Sequence, residues 1–244
     1  MRRHRIFLTV RQRRNRRPFR RRLFHEADAA SRAFSNFTTD LSRLPPGGRF
    51  ARVRAFWSVV IMQQTEAIDR KYFFDRIRRS LFGGRLTQSQ VDAIERYLDY
   101  RDAIYPNMPD AELAYLLATV KHETAHEMVP IEERGGEAYL RSKPYYPWYG
   151  RGPIQLTWEA NYRKFGITNP DDALKWPAAL DIAFRGMILG MFTGRKLAHY
   201  INARKRDYIG ARRIINGTDK ARLIAGYADL VFDALTQSRA RRAA

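Results

Sequence analysis

The sequence predicts a mainly helical domain interrupted in its middle by a loop-rich insert. Apolar residues recur at helical spacing in separate stretches between residues 66 and 235, whereas residues 128–156 break that pattern with a concentration of Pro, Gly and Tyr. Apolar residues make up 45% of the 244-residue chain, enough for a globular protein to bury a real core.

Residues 1–61 stand apart from this pattern. They hold 16 Arg, no Lys and 3 acids, a net charge of +13, whereas residues 62–244 carry only +7 of the chain's +20. Lacking periodicity and broken at Pro45-Pro46-Gly47-Gly48, they read as a basic, poorly ordered extension with one short helix near Ala29–Leu44. Three readings stay open: a solvated tail with no specific job, non-specific attachment to nucleic acid or another polyanion, and translated sequence ahead of a start at Met62.

The folded domain is expected over residues 62–244. A first helix spans Glu66–Phe82 and stops at Gly83-Gly84. Thr87-Gln88-Ser89-Gln90 has the form of a capping box and opens a second, with Val91, Ile94, Tyr97 and Leu98 on one face. Asp110 can cap a third, whose apolar stripe is Leu113, Leu116, Leu117 and Val120. After the insert, helices resume at Thr157–Phe165 and Ala178–Thr193. The latter is apolar nearly all round and is expected to be the buried central helix, with Gly186 and Gly190 permitting close packing. A last helix runs from Lys220 to Leu235.

Composition excludes some chemistry. There is no cysteine, hence no disulfide and no thiolate metal site. The apolar runs Ala55–Met62 and Ile182–Phe192 are too short or too charged to span a bilayer. Eleven arginines in the first 25 residues surround only the patch Ile6–Val10, which is no signal-peptide core.

Glu123 lies three residues after Val120 and seven after Leu116, at the border of the buried stripe. A carboxyl there is partly desolvated, which favours its protonated form and suits a general acid that protonates a leaving oxygen. The competing reading is a buried Glu paired with an Arg. A second carboxylate, Glu132, follows past Pro130, where a return loop can set it across a groove; Glu133 and Glu127 are rivals on spacing alone. Tyr139–Tyr162 contains seven aromatic residues, among them Tyr149 and Trp158, whose rings can present an apolar face to sugar C–H groups or else fill core. Gly150-Arg151-Gly152-Pro153 permits close backbone approach, and Gln155 and Thr157 supply neutral hydrogen-bonding groups.

Three ordered strings resemble glycoside hydrolase family 19: His122-Glu123-Thr124, Gly150-Arg151-Gly152-Pro153-Ile154-Gln155-Leu156-Thr157 with Asn161, and Arg213-Ile214-Ile215-Asn216-Gly217. The Leu81–Val91 and His122–Glu133 stretches resemble its phage and bacterial endolysin branch. The resemblance covers residues 66–236. It implies a lysozyme-like α+β domain with a cleft between two lobes. Glu123 would be the acid, Glu132 the base, and Thr157 the holder of the attacking water. Gln155, Asn161 and Asn216 would bind sugar. The cysteines of plant members are missing, so their loop architecture and chitin preference are not expected to carry over to this chain.

Two rivals come from other classes. His122-Glu123-Thr124-Ala125-His126 also fits H-E-x-x-H, which on a helix would set two imidazoles on one face for zinc; the last His of the extended motif falls at Glu132. A nucleic-acid-binding module rests on the basic tail alone. The favoured expectation is a cofactor-free and metal-free monomeric glycosidase acting on peptidoglycan as an endolysin, with chitin as the alternative glycan. Without a signal peptide, it would stay cytoplasmic until released to the wall.

Overall fold

The computed structural model describes residues 67–243. The basic extension over residues 1–61, its expected helix near Ala29–Leu44 and Glu66 lie outside the described residues. Helix α1, Arg70–Ser80, begins later than expected because Asp69 accepts a 3.0 Å hydrogen bond from the Tyr72 N–H and so caps it. Helix α2, Gln88–Ile104, opens on the expected reciprocal box, the Gln90 N–H donating to Thr87 Oγ1 and the Thr87 N–H to Gln90 Oε1. Arg70 reaches from α1 to Glu95 at 2.6 Å and Asp102 at 2.8 Å, joining the two helices.

Helix α3 spans Asp110–Glu123, and Pro109, not Asp110, occupies its N-cap. Asp110 instead accepts two hydrogen bonds from Arg239, at 2.6 and 2.7 Å, near the end of the last helix. Every residue from Leu113 to Lys121 is buried, so α3 is the central helix of the domain, the place that the sequence reserved for 178–193. The expected stripe understated it because Ala114, Ala118 and Thr119, small enough to lie against neighbouring helices, close the other sides. Lys121 ends this run with its ammonium 4.2 Å from the Tyr227 ring centre, and burial lowers its pKa to about 8.

The insert holds strands β1, Ile131–Glu132, and β2, Arg151–Gly152, paired antiparallel with Ile131 opposite Gly152 and Glu132 opposite Arg151. Between them lies helix α4, Gly136–Arg141, which the sequence did not suggest. Helix α5, Glu159–Lys164, follows, then a 3-10 turn over Pro170–Leu174. Helix α6, Trp176–Leu189, ends at Gly190 in the left-handed conformation. A Cβ on Gly190 would also meet the Arg195 backbone at 3.0 Å. One side of α6 is solvated, with Leu189 exposed and Arg185 paired to Asp181, hence its displacement from the centre. A hairpin of β3, Ile201–Asn202, and β4, Lys205–Arg206, precedes helix α7, Tyr208–Ala211. Helix α8, Ala221–Ala243, packs along α3 and α1. No described helix is long and apolar enough to cross a membrane.

The mainly helical class is as expected, and the hydrophobic residues form two clusters. The larger joins α1, α2, α3, α6 and α8; the smaller joins Leu156, Tyr162, Ile167, Ala173 and Ile182 behind the insert. Phe192 packs against both. Two lobes with a seam between them follow from this split.

Candidate active site

An open cavity of about 560 Å³ lies on that seam. Ile154 comes from the larger cluster, Leu156 from the smaller, and the polar lining is Glu123, Glu133, Gln155, Thr157, Asn161 and Asn216.

Glu123 is the last residue of α3, and what stops the helix sets its position. Ala125, His126 and Met128 adopt positive φ, and the buried Thr124 side chain closes the turn, donating to Val120 O at 2.7 Å and accepting from the Met128 N–H at 2.9 Å. Gln90 of α2 donates to His126 O at 2.9 Å and anchors the turn from outside. Replacing Thr124 with Val keeps its shape but leaves the buried Met128 N–H unpaired, which costs about 1–3 kcal/mol. Thr124→Val should therefore lower Tm by roughly 5 °C at this chain length. A melt within about 1 °C of the parent would show that the turn is held by other contacts.

The turn also decides against the zinc arrangement. Helix α3 ends at Glu123, so His126 does not stand one helical turn above His122. The His126 ring instead meets Tyr227 edge-on at 6.1 Å. Among the described residues, no three His, Cys, Asp or Glu side chains cluster as metal ligands.

The Glu123 side chain is 15% exposed and its Oε1 accepts a 2.5 Å hydrogen bond from Nη1 of Arg212, itself 3% exposed. Glu123 therefore pairs with an arginine, as the competing reading from sequence had it, and it also lines the cavity. Arg212, which the sequence reading missed, sits beside the Arg213–Gly217 string and is steadied by donating from Nε to Asp219 O at 3.0 Å. Its place beside that string was the available signal, but 89 residues separate it from Glu123.

Glu132 does not face the cavity; Glu133 does. Successive side chains along an extended segment point to opposite faces, and the pairing of Glu132 with Arg151 sends Glu132 to the outer one. There it lies 3.4 Å from the Arg151 guanidinium and 3.5 Å from the Tyr149 hydroxyl, with half of its side chain exposed. Glu133 turns inward and is tightly oriented. Its Oε1 accepts from the Tyr145 hydroxyl at 3.0 Å, its Oε2 from the Gly150 N–H at 2.9 Å, and its own N–H donates to Gly150 O at 2.6 Å. Partial burial and the neighbouring Glu133 carboxylate push the Tyr145 phenol up to about 12, so it remains a donor. The close approach expected of Gly150 is present: a Cβ there would lie 2.8 Å from Gln155 Oε1 and 3.3 Å from Glu133 Oε2.

The remaining candidates divide. Gln155, with φ of 53°, donates from Nε2 to Ile131 O at 3.1 Å and Gly152 O at 3.2 Å, spanning the β1–β2 pair. Thr157 donates to Gln155 O at 3.0 Å, which leaves its oxygen free to accept in the cavity. Asn161 donates to Thr157 O at 2.8 Å, and Asn216 is exposed at the rim. Trp158 lines the cavity, half exposed, its ring edge-on to Tyr145 at 5.4 Å. Tyr149 is not a lining residue; its ring lies under the Arg151 guanidinium at 3.6 Å, on the outer side with Glu132. Glu127, the remaining rival carboxylate, is exposed on the turn after Glu123 and is not a lining residue.

The chain is 30% identical over 176 residues to an acidic endochitinase of Dioscorea japonica, covering 66% of this chain and 64% of that protein. It is 28% identical over 159 residues to an endochitinase of Arabidopsis thaliana, covering 59% of this chain and 54% of that one. The chain thus spans just under two thirds of the first relative and about half of the second. No family model and no solved structure matches the chain. Two carboxylates facing one polar cavity are therefore found in a chain similar to plant endochitinases.

Proposed function

We propose that this protein is a family 19-like glycoside hydrolase that cleaves β-1,4-linked N-acetylhexosamine chains. The observation that carries the reading is the pair Glu123 and Glu133, set in one cavity with opposite kinds of support. Glu123 has a cationic partner, which stabilises the carboxylate left after its proton passes to the departing glycosidic oxygen. Glu133 has neutral donors on both oxygens, which orient it while leaving lone pairs free to take a proton from water. The water oxygen bonds to the anomeric carbon as the C–O bond breaks, and Glu133 receives the water's proton. Thr157 holds that water, and Gln155, Asn161 and Asn216 orient the sugar.

Chitin is the better supported glycan, since both similar proteins are named endochitinases. Peptidoglycan, with the same backbone linkage, is the second reading, and the basic charge of the chain favours it. Chitin oligomers digested beside purified bacterial walls separate the two. Release of shorter oligomers from the former and clearing of the latter are the signals; activity on neither would end the glycosidase reading.

The same digest tests stereochemistry. With Glu133 activating a water opposite the leaving group, cleavage inverts the anomeric carbon and releases the α-anomer first. Proton NMR of fresh products, recorded before mutarotation, should show it. A β-anomer appearing first would make the second carboxylate a nucleophile.

A further inference from the structure

From Ile182 to Thr218 the chain contains one acid, Asp207, and eight basic residues. Asp207 is committed to the cap of α7, accepting from the Gly210 N–H at 2.7 Å. Of the cations, Arg185 pairs with Asp181, Arg212 with Glu123, and Arg206 stands 3.9 Å from Asp229. Arg195, Lys196, Arg204, Lys205 and Arg213 are exposed, and no acidic side chain pairs with any of them among the described residues.

Two of these cations, Arg195 and Arg213, are tied to the cavity's edge. The Thr193 hydroxyl donates to Arg213 O at 2.8 Å and Ile214 O at 3.0 Å, and accepts from the Arg195 N–H at 3.4 Å. It thereby binds the segment after Phe192 to the segment before Ile215 and Asn216, and those three residues line the cavity. Arg195 donates to the Tyr200 hydroxyl at 3.1 Å, and the Lys205 ammonium lies 5.6 Å from the same ring, which extends the cationic strip onto the β3–β4 hairpin. On the insert, Arg141 pairs with Glu137 and Arg151 with Glu132 and Asp171, while Arg134 is exposed with no acidic partner among the described residues.

We propose that this cationic rim binds carboxylate groups carried as substituents on the glycan strand, making the protein selective for anionic over neutral N-acetylhexosamine chains. The inference rests on the glycosidase reading. A neutral polysaccharide gives an unpaired arginine nothing to neutralise, whereas a strand bearing carboxylates at regular intervals offers charge-assisted hydrogen bonds beside the cavity. A nucleic acid would also meet the charge. Continuity of the strip with Phe192, Ile215 and Asn216 favours a ligand that occupies the cavity and the rim together.

The test uses the full chain and its triple variant Arg195→Gln, Lys205→Gln, Arg213→Gln, both with the same basic extension. Two soluble probes of matched length serve as substrates, neutral glycol chitin and carboxymethyl chitin, with a DNA duplex as a binding control. The parent should show a kcat/KM for the carboxylated probe about tenfold higher than for the neutral one at low salt, shrinking in about 1 M salt where the Debye length is about 3 Å. The variant should lose most of that preference while keeping its rate on glycol chitin. Equal rates on both probes in the parent, or a preference unchanged in the variant, would overturn the proposal. So would a variant that loses DNA binding but retains the preference. If neither probe is hydrolysed by the parent, the glycosidase reading has failed instead. Salt-sensitive binding of carboxymethyl chitin, weakened in the variant, still decides for or against the rim.

Discussion

Glu123→Gln should reduce glycan hydrolysis by at least about 10²-fold and toward 10⁴-fold, the range expected when a positioned general acid can no longer donate its proton. The amide preserves size and can still accept from Arg212, so the cavity keeps its shape. The lost charge has a cost in stability, because Arg212 is 3% exposed and no longer faces a carboxylate. The bond retained to the amide oxygen and the bond to Asp219 O limit that cost to about 1–2 kcal/mol. A fall in Tm of a few degrees should therefore accompany the loss of activity. Near-parental turnover by a folded variant would remove Glu123 from the reaction.

The second large effect separates two adjacent carboxylates. Glu133→Gln should lose about 10²–10⁴-fold in kcat, because the amide still accepts from Tyr145 and Gly150 but cannot take a proton from water. Glu132→Gln should stay within about threefold of the parent, since its exposed interaction with Arg151 is of the kind worth at most about 1 kcal/mol. The converse result, with Glu132 essential and Glu133 dispensable, would return the base to the residue first expected and would mean that the β1–β2 register is different in solution. Steady-state kinetics on one chitin oligomer, with melts to confirm folding, decide it.

Local signals carried much of the fold. The capping box at Thr87 and the Gly83-Gly84 stop are instructions read within a few residues, and each marks a helix boundary, whereas Gly190, expected inside a helix running to Thr193, ends α6 in the left-handed conformation. Short elements were less legible. Helix α4 is only six residues long and the two-residue strands β1 and β2 are held by pairing with a distant segment, so none of them leaves a periodic trace. Calling Ala178–Thr193 the central helix failed for a related reason. Apolarity all round identifies a helix that can be buried, but the partners decide which helix is, and α8 lies along α3.

The sequence by itself determined the helical class and the loop-rich insert, and its resemblance to family 19 grouped Glu123, Gln155, Thr157, Asn161 and Asn216, which line one cavity. Only the tertiary structure decided which carboxylate joins Glu123 and what stands beside it. Side chains alternate faces along a strand, so choosing between Glu132 and Glu133 requires the register of β1 against Arg151 and Gly152, which cross-strand pairing sets and no local property encodes. Arg212 required a contact spanning 89 residues, and the outward turn of Tyr149 required the Arg151 guanidinium that covers its ring.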